Sequence, residues 1–241
     1  MNKIRIQKYC SERGLASRCE TEEYLKNGWI KINGVVVTEP GTKVDPENDV
    51  VEFLDEVENI KKDSKYLILN KPRGFVTNLP NEDEKEAAIL LSPVDRKSVY
   101  AVGRLDKESE GLLFLTNDGV VANRLKSPGF DVEKEYEVIT DREISPEVIK
   151  EYLKGFYIDG TRLKPVRVRQ HTERKYTFLL TEGKNRQIRK MLEKSGYKVY
   201  NLKRIRIGIM ELKDLKVGTY RALSGKEIEE LKKFLNIELE K

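Results

Sequence analysis

The sequence predicts an α+β protein: a small helix–helix–hairpin module followed by a larger domain of strands with flanking helices. Three observations predict it. A capped helix pair and an Asn-Gly turn lie within the first 57 residues. Short, strand-like apolar runs recur between Tyr66 and Ile209, and two later helices carry start signals of their own, at Ser145-Pro146 and Ser224. With 241 residues and 38% hydrophobic content, the chain can bury a real core in one or two domains.

The elements follow in order. Residues 5–13 form a helix candidate closed by Gly14. Ser17-Arg18-Cys19-Glu20 fits a capping box, in which Ser and Glu satisfy each other's backbone donors, and it opens a second helix through Lys26. Asn27-Gly28 closes that helix. Residues 29–32 and 35–37 flank Asn33-Gly34, a strong two-residue hairpin signal, and a third strand covers 49–53. Residues 54–64 run from acidic to basic without Gly or Pro and read as a connector that need be neither long nor floppy. The expected division is a module over 1–57, a linker over 58–64 and a second domain over 65–241, with relative motion of the two as the default.

In the second domain, 66–69 is a buried strand stopped by the Pro72 and Gly74 turn. Runs at 99–102 and 112–116 are strands joined by a polar loop, and Asn117-Asp118-Gly119 closes the second. A short helix at 120–125 and an alternating strand at 134–139 come next. Ser145 as N-cap and Pro146 at the first helical position open a helix to about 154. Strands follow at 164–171, where Arg167 and Arg169 alternate with valines, and at 175–180. After Gly183 a helix sets Ile188 and Leu192 on its core side, with Arg186 and Lys190 on another and Arg189 beside them. A strand at 199–209 and a helix opened by the Ser224–Glu227 capping box complete the chain.

Charge narrows the functional classes. The net charge is +5, but residues 181–221 alone hold 12 Lys/Arg against 4 Asp/Glu, so the rest of the chain is acidic. Basicity concentrated in this way is the footprint of phosphate contacts. Cys10, Cys19 and His171 give neither a zinc spacing nor a disulfide framework, and His171 receives no role. No apolar leader and no run of about 18 apolar residues occurs, so a cytoplasmic protein that needs no membrane is expected.

The loop from Gly103 to Gly111 offers chemistry. Asp106 stands two residues after Arg104, and glycines at both ends let the backbone approach a ligand. Taken alone, one carboxylate among 41 acidic residues is most often solvated. A glycoside hydrolase pairing Asp106 with Glu108 or Glu110 would want an aromatic sugar platform, and the single Trp lies in the N-terminal module. A non-catalytic RNA-binding or ribosome-assembly factor is the other alternative.

The run Val102-Gly103-Arg104-Leu105-Asp106 through Asn117-Asp118-Gly119 resembles the signature of ribosomal RNA pseudouridine synthases of the RsuA/RluB/RluE/RluF family. Asn70-Lys71-Pro72-Arg73-Gly74, Asn185-Arg186-Gln187-Ile188-Arg189 and the strand bearing Leu202, Arg204 and Ile207-Gly208 match it too. The resemblance implies a mostly antiparallel mixed sheet with flanking helices and a central cleft. It implies that Asp106 is catalytic, that Arg189 pairs with it, and that Tyr136 stacks on the base. Arg104 would help extrude or hold the nucleotide, Lys71, Lys184, Asn185 and Arg186 would bind substrate, and Leu202 would line the base pocket. Lys71 reads equally well as part of a structural strand end. Uridine would become pseudouridine in ribosomal RNA, the large subunit being favoured, without cofactor or metal, by a monomer acting on RNA or an assembly intermediate. An aspartate in a pocket tends toward its neutral form, and a nearby guanidinium counters that. Whether Asp106 attacks the sugar or the base stays open.

The N-terminal segment resembles the ribosomal-protein S-four-like (alpha-L) RNA-binding domain, through Lys8-Tyr9, Gly14-Leu15-Ala16-Ser17-Arg18, Gly28, Ile32-Asn33-Gly34 and Val44-Asp45-Pro46. Lys3, Arg5, Lys8, Arg13 and Arg18 would present charge to RNA. Cys19 departs from the pattern where a second basic residue is common.

Overall fold

A computed structural model describes residues 3–77 and 84–237; the outermost residues of the two expected domains, 1–2 and 238–241, lie outside it. The N-terminal part runs β1 (Ile4–Arg5), α1 (Ile6–Arg13), α2 (Arg18–Lys26), β2 (Ile30–Ile32), β3 (Val35–Val37), β4 (Lys43–Val44), β5 (Val51–Phe53) and α3 (Asp55–Lys62). The capping box forms as expected, with Ser17 Oγ accepting from Glu20 N and Glu20 accepting from Ser17 N. Asn33 and Gly34 both take positive φ, which a tight hairpin turn matching strand twist requires. Arg5 pairs as a strand with Lys43, so the first helix begins one residue later than expected.

The stretch read as a connector is instead helical. Its acidic first turn and basic last turn complement the helix dipole. Val57 is fully buried among Ile6, Tyr24, Leu25 and Ile30, so α3 packs into the N-terminal core. Lone apolar residues at 57 and 60 gave little sign of this in the sequence.

The second part runs β6 (Tyr66–Lys71), β7 (Phe75–Val76), β8 (Lys85–Glu86), α4 (Pro93–Ser98), β9 (Tyr100–Ala101), β10 (Glu110–Thr116) and α5 (Gly119–Lys126). It continues with β11 (Lys134–Thr140), α6 (Pro146–Lys154), β12 (Tyr157–Ile158), β13 (Thr161–Arg162), β14 (Arg167–Gln170) and β15 (Lys175–Leu180). It ends with α7 (Gln187–Lys194), β16 (Val199–Ile207), β17 (Met210–Glu211), β18 (Tyr220–Ala222) and α8 (Gly225–Phe234). Helix α4 starts from Ser92 and Pro93, the same signal as Ser145-Pro146, and went unread in the sequence. Asp118, read as part of a turn, accepts from Val120 N and Val121 N and is the N-cap of α5.

The main sheet has the order β14-β15-β11-β16-β10-β6-β18, with β17 on β16 and β9 on β10. Every pairing in it is antiparallel except β10 with β16. That parallel seam joins only Glu110 to Lys203 and Gly111 to Arg204. Gly111 is required there: its φ is +104°, and a Cβ would lie 2.2 Å from the Arg204 carbonyl oxygen.

Helices α5 and α8 cover one core around Ile68, Leu112, Phe114 and Leu231. Helices α6 and α7 cover another around Val138, Tyr176, Phe178 and Met191. A third cluster joins Leu67, Leu69, Leu113 and Leu115 to Leu91 and to Leu105 of the polar loop. Each fully buried leucine or phenylalanine stabilises by roughly 1.5–3 kcal/mol, so these strands form a stiff floor beneath the loop.

Candidate active site

The loop after β9 is pinned on several sides. Thr77 Oγ1 donates to Leu105 O at 2.8 Å and accepts from Leu105 N at 3.0 Å. Gly74 N donates to Lys107 O at 2.7 Å, and Ser109 N to Asp106 O at 3.0 Å. Leu105 itself is buried. Asp106 is thus presented from a short, backbone-bonded turn resting on rigid strands.

The loop borders a cavity of about 230 Å³. Arg104, Asp106, Tyr136, Lys184, Arg186 and Leu202 all line it, which gathers six of the expected site residues from four separate stretches of chain. Across β11 and β16, Tyr136 pairs with Arg204 and Val138 with Leu202, so these side chains share one side of the sheet. Tyr136 packs between the second and third clusters, which fixes its ring over the cleft.

The partner of Asp106 differs from expectation. Arg186 Nη1 lies 3.8 Å from Asp106 Oδ2 and 2.6 Å from Glu108 Oε2. Arg189 makes no ion pair with Asp106. Its Nη2 donates to Glu108 O at 3.1 Å and Ser109 Oγ at 3.4 Å, and its buried Nε has no partner among the described residues. The reason is position on α7. Arg186 is the N-cap residue, at φ +50°, and reaches over the rim. Arg189 sits one turn deeper and meets the loop backbone instead. Arg186 holds the Glu108 carboxyl below its ordinary value, and Glu108 pushes the Arg186 guanidinium up. Burial pulls Arg189 down, with Arg186 adding to it.

Two other expected substrate contacts lie outside the cavity lining. Asn185 is exposed beyond it. Lys71 is fully buried behind the loop, donating to Phe75 O at 2.7 Å and Pro72 O at 3.0 Å. Burial holds its ammonium down to about 8, against the opposing pull of Asp106. The structural half of the Lys71 reading therefore describes its contacts, while its charge still reaches Asp106.

Arg204, named in the sequence only as part of the matching strand and given no role there, is a site residue. It is buried in the cavity wall, with Nε donating to Leu112 O at 2.8 Å and Nη1 to Arg104 O at 3.4 Å. Its Nη2 has no partner among the described residues. Lys134 also lines the cleft, its ammonium lowered by burial and then by Arg204. The available signal was a charged residue at an inward position of an apolar strand, which demands a partner.

The five expected RNA-contacting side chains of the module, Lys3, Arg5, Lys8, Arg13 and Arg18, are all exposed. Arg13 lies 4.6 Å over the Tyr9 ring and donates to Pro46 O. The module meets the second part at Glu20, which accepts from Gly119 N at 3.1 Å. His171 contacts Thr177 Oγ1 at 2.8 Å and is not among the residues that line the cleft. Among the described residues no cluster of three or more His, Cys, Asp or Glu could hold a metal, and no helix is long and apolar enough to cross a membrane.

A cleft with this carboxylate, cation and ring can hold a planar base against Tyr136 and bring an anionic oxygen to it. Comparison with known proteins bears on which reaction uses it. The family model described as RNA pseudouridylate synthase matches residues 65–194, and the S4 domain model matches residues 4–51. The Dual-specificity RNA pseudouridine synthase RluF of Escherichia coli is 37% identical, over 96% of this chain and 79% of its own length. The Ribosomal large subunit pseudouridine synthase B of Bacillus subtilis is 32% identical, over 95% of each. A crystal structure of a pseudouridylate synthase superposes with a TM-score of 0.69 at 26% identity, covering 95% of this chain and 99% of that one.

Proposed function

The chain belongs to the RNA pseudouridylate synthase family, and from that premise we propose that it isomerises a specific uridine of ribosomal RNA with Asp106 as the reacting carboxylate. The N1–C1′ bond breaks, the base turns, and a C5–C1′ bond forms, while N1 gains a proton and C5 loses one. Atoms and electrons balance within the nucleotide, so no co-reactant is called for. Asp106 serves either by attacking the sugar C1′ or by adding to the base.

The observation that carries this reading is the Asp106 carboxylate in the cleft, 3.8 Å from the Arg186 guanidinium and sharing the lining with Tyr136. A positive neighbour favours the charged form that a nucleophile needs. Tyr136 would lie against the uracil face. A paired base is out of reach, so the uridine leaves its stack, with Arg104 holding the extruded nucleotide. Lys184, Arg186 and Leu202 complete the pocket, and Arg189 acts by holding the loop. The N-terminal module would add phosphate contacts through its exposed cations.

The favoured target is large-subunit RNA, on the strength of the relative named for that subunit. The enzyme would act as a cytoplasmic monomer on free RNA or an assembly intermediate.

The test is Asp106→Asn, assayed for pseudouridine in transcribed ribosomal RNA together with an RNA-binding measurement. Product formation is expected to fall by a factor of about 10³ or more while binding stays within a few fold. Unchanged product would remove Asp106 from the mechanism. No product from the unaltered protein either, with binding retained, would favour a binding factor over an enzyme.

A further inference from the structure

We propose that Tyr200 and Arg73 form a second nucleotide subsite at the mouth of the cleft, where the ring stacks on a base next to the target uridine and the guanidinium meets its phosphate. This rests on the RNA-modifying reading above and adds a position to it.

Strand β16 supplies the cleft with Leu202 and Arg204. Its pairing with β11 is irregular at two places, one on either side of those residues. Ile139 pairs with Asn201 and Thr140 with Val199, which leaves Tyr200 unmatched. A bulge re-aims the extra side chain and is common beside active sites. Tyr200 is 57% exposed, two residues from Leu202 in the cavity wall. An aromatic ring so exposed keeps a face free for stacking.

Arg73 ties the Tyr200 backbone to the segment that meets the Asp106 loop. Its Nη1 donates to Tyr200 O at 3.2 Å. The next residue, Gly74, donates its N–H to Lys107 O at 2.7 Å, one position beyond Asp106. Arg73 also acts electrostatically on Glu108 and Arg189, so it stands among the charges of the loop. Arg73 is itself exposed and has no ion-pair partner among the described residues, which leaves its remaining donors for a phosphate. A ring beside a free guanidinium is the combination by which single-stranded nucleic acid is held, the ring taking any base and the cation taking the backbone. A uridine entering the cleft has a neighbour one nucleotide away on the same unstacked strand, and this platform lies where that neighbour would pass.

The experiment uses the full chain and transcribed large-subunit ribosomal RNA. Tyr200→Ala is expected to weaken binding, and to raise KM, by about tenfold with kcat at saturating RNA unchanged. Tyr200→Phe keeps the ring and should match the unaltered protein. Arg73→Ala should reduce the slope of log affinity against log salt by about one, which Tyr200→Ala should not do. Tyr200→Ala binding within twofold of the unaltered protein overturns the subsite. Tyr200→Phe failing as badly as Tyr200→Ala also overturns it, because stacking needs no hydroxyl. Binding is measured without turnover. A null result with pseudouridine still formed therefore counts against the subsite alone, and an unaltered protein that makes no pseudouridine counts against the functional reading.

Discussion

The N-terminal module and the cleft both gather positive charge, but they hold it differently. In the module, Lys3, Arg5, Lys8, Arg13 and Arg18 are all exposed, and their contacts are local, such as Glu12 for Lys8 at 3.6 Å and the Tyr9 ring for Arg13. Around the cleft, Arg186, Arg189 and Arg204 bond to a single loop with Lys71 buried behind it, and the pKa values of Arg186, Arg189 and Lys71 are shifted. Solvated charges act through water and nearly independently. Charges partly withdrawn from water interact strongly, so each sets the energy of the next. Loose cations suit a surface that follows a phosphate backbone, and linked ones suit a site that must keep one carboxylate poised.

The sharpest way to break this contrast is a double-mutant cycle in the cleft. Arg186→Ala and Arg189→Ala should each lower kcat/KM by about a hundredfold. Both act on the Asp106–Ser109 segment, so the double variant should lose far less than the product of the single effects. Single-turnover rates with enzyme in excess but below saturation would measure this. Strict multiplicativity would mean that the two arginines work separately, as module residues do.

A second test concerns Lys71. Its ammonium is held near 8 in the folded protein, against 10.5 ordinarily. Below about pH 8 both the folded and the unfolded chain bind the proton, and burial of the charge costs its full amount. Between about 8 and 10.5 the folded chain has released it and the unfolded chain has not, so the stability contribution of Lys71 rises with pH. From pH 7.5 to 9.5 the stability difference between the unaltered protein and Lys71→Met should shift by about 2 kcal/mol in favour of the unaltered protein. Urea melts at the two pH values would show it, and a flat difference would place Lys71 with the independent charges.

Smaller effects are expected in the module. Alanine at Lys8, Arg13 or Arg18 should each weaken RNA binding about two- to fivefold, additively, with a matching drop in salt slope. Strong coupling among them would show that the module also works as a network. Smallest in its effect on function is Glu20→Ala, which removes half of the capping box and the bond to Gly119 N. A loss of about 1 kcal/mol in thermal or urea stability is expected, with catalysis at saturating RNA unchanged.

Much of the fold was readable from short-range patterns. Ser17 with Glu20, Asn33 with Gly34, and Ser224 with Glu227 each act within four residues, where backbone chemistry leaves few alternatives. Helix α3 escaped because it owes its burial to Val57 meeting α1 and α2, a contact that no local pattern reports. The cleft shows the same divide. That Asp106 stands on a loop between strands, and that basic residues cluster from 181 to 221, are properties of the sequence alone.

The sequence by itself determined most of the helices, turns and strands, α3 and α4 excepted, and which residue types can take part in the chemistry. Only the tertiary structure decided that Arg186 rather than Arg189 faces the carboxylate, that Lys71 lies behind the loop, and that Arg204 closes the wall. Capping and turn preferences are settled by neighbours a few residues away. The contact of Arg186 with Asp106 spans 80 positions and depends on how far α7 is rotated and how deep it lies against the sheet, and packing of the whole core sets both.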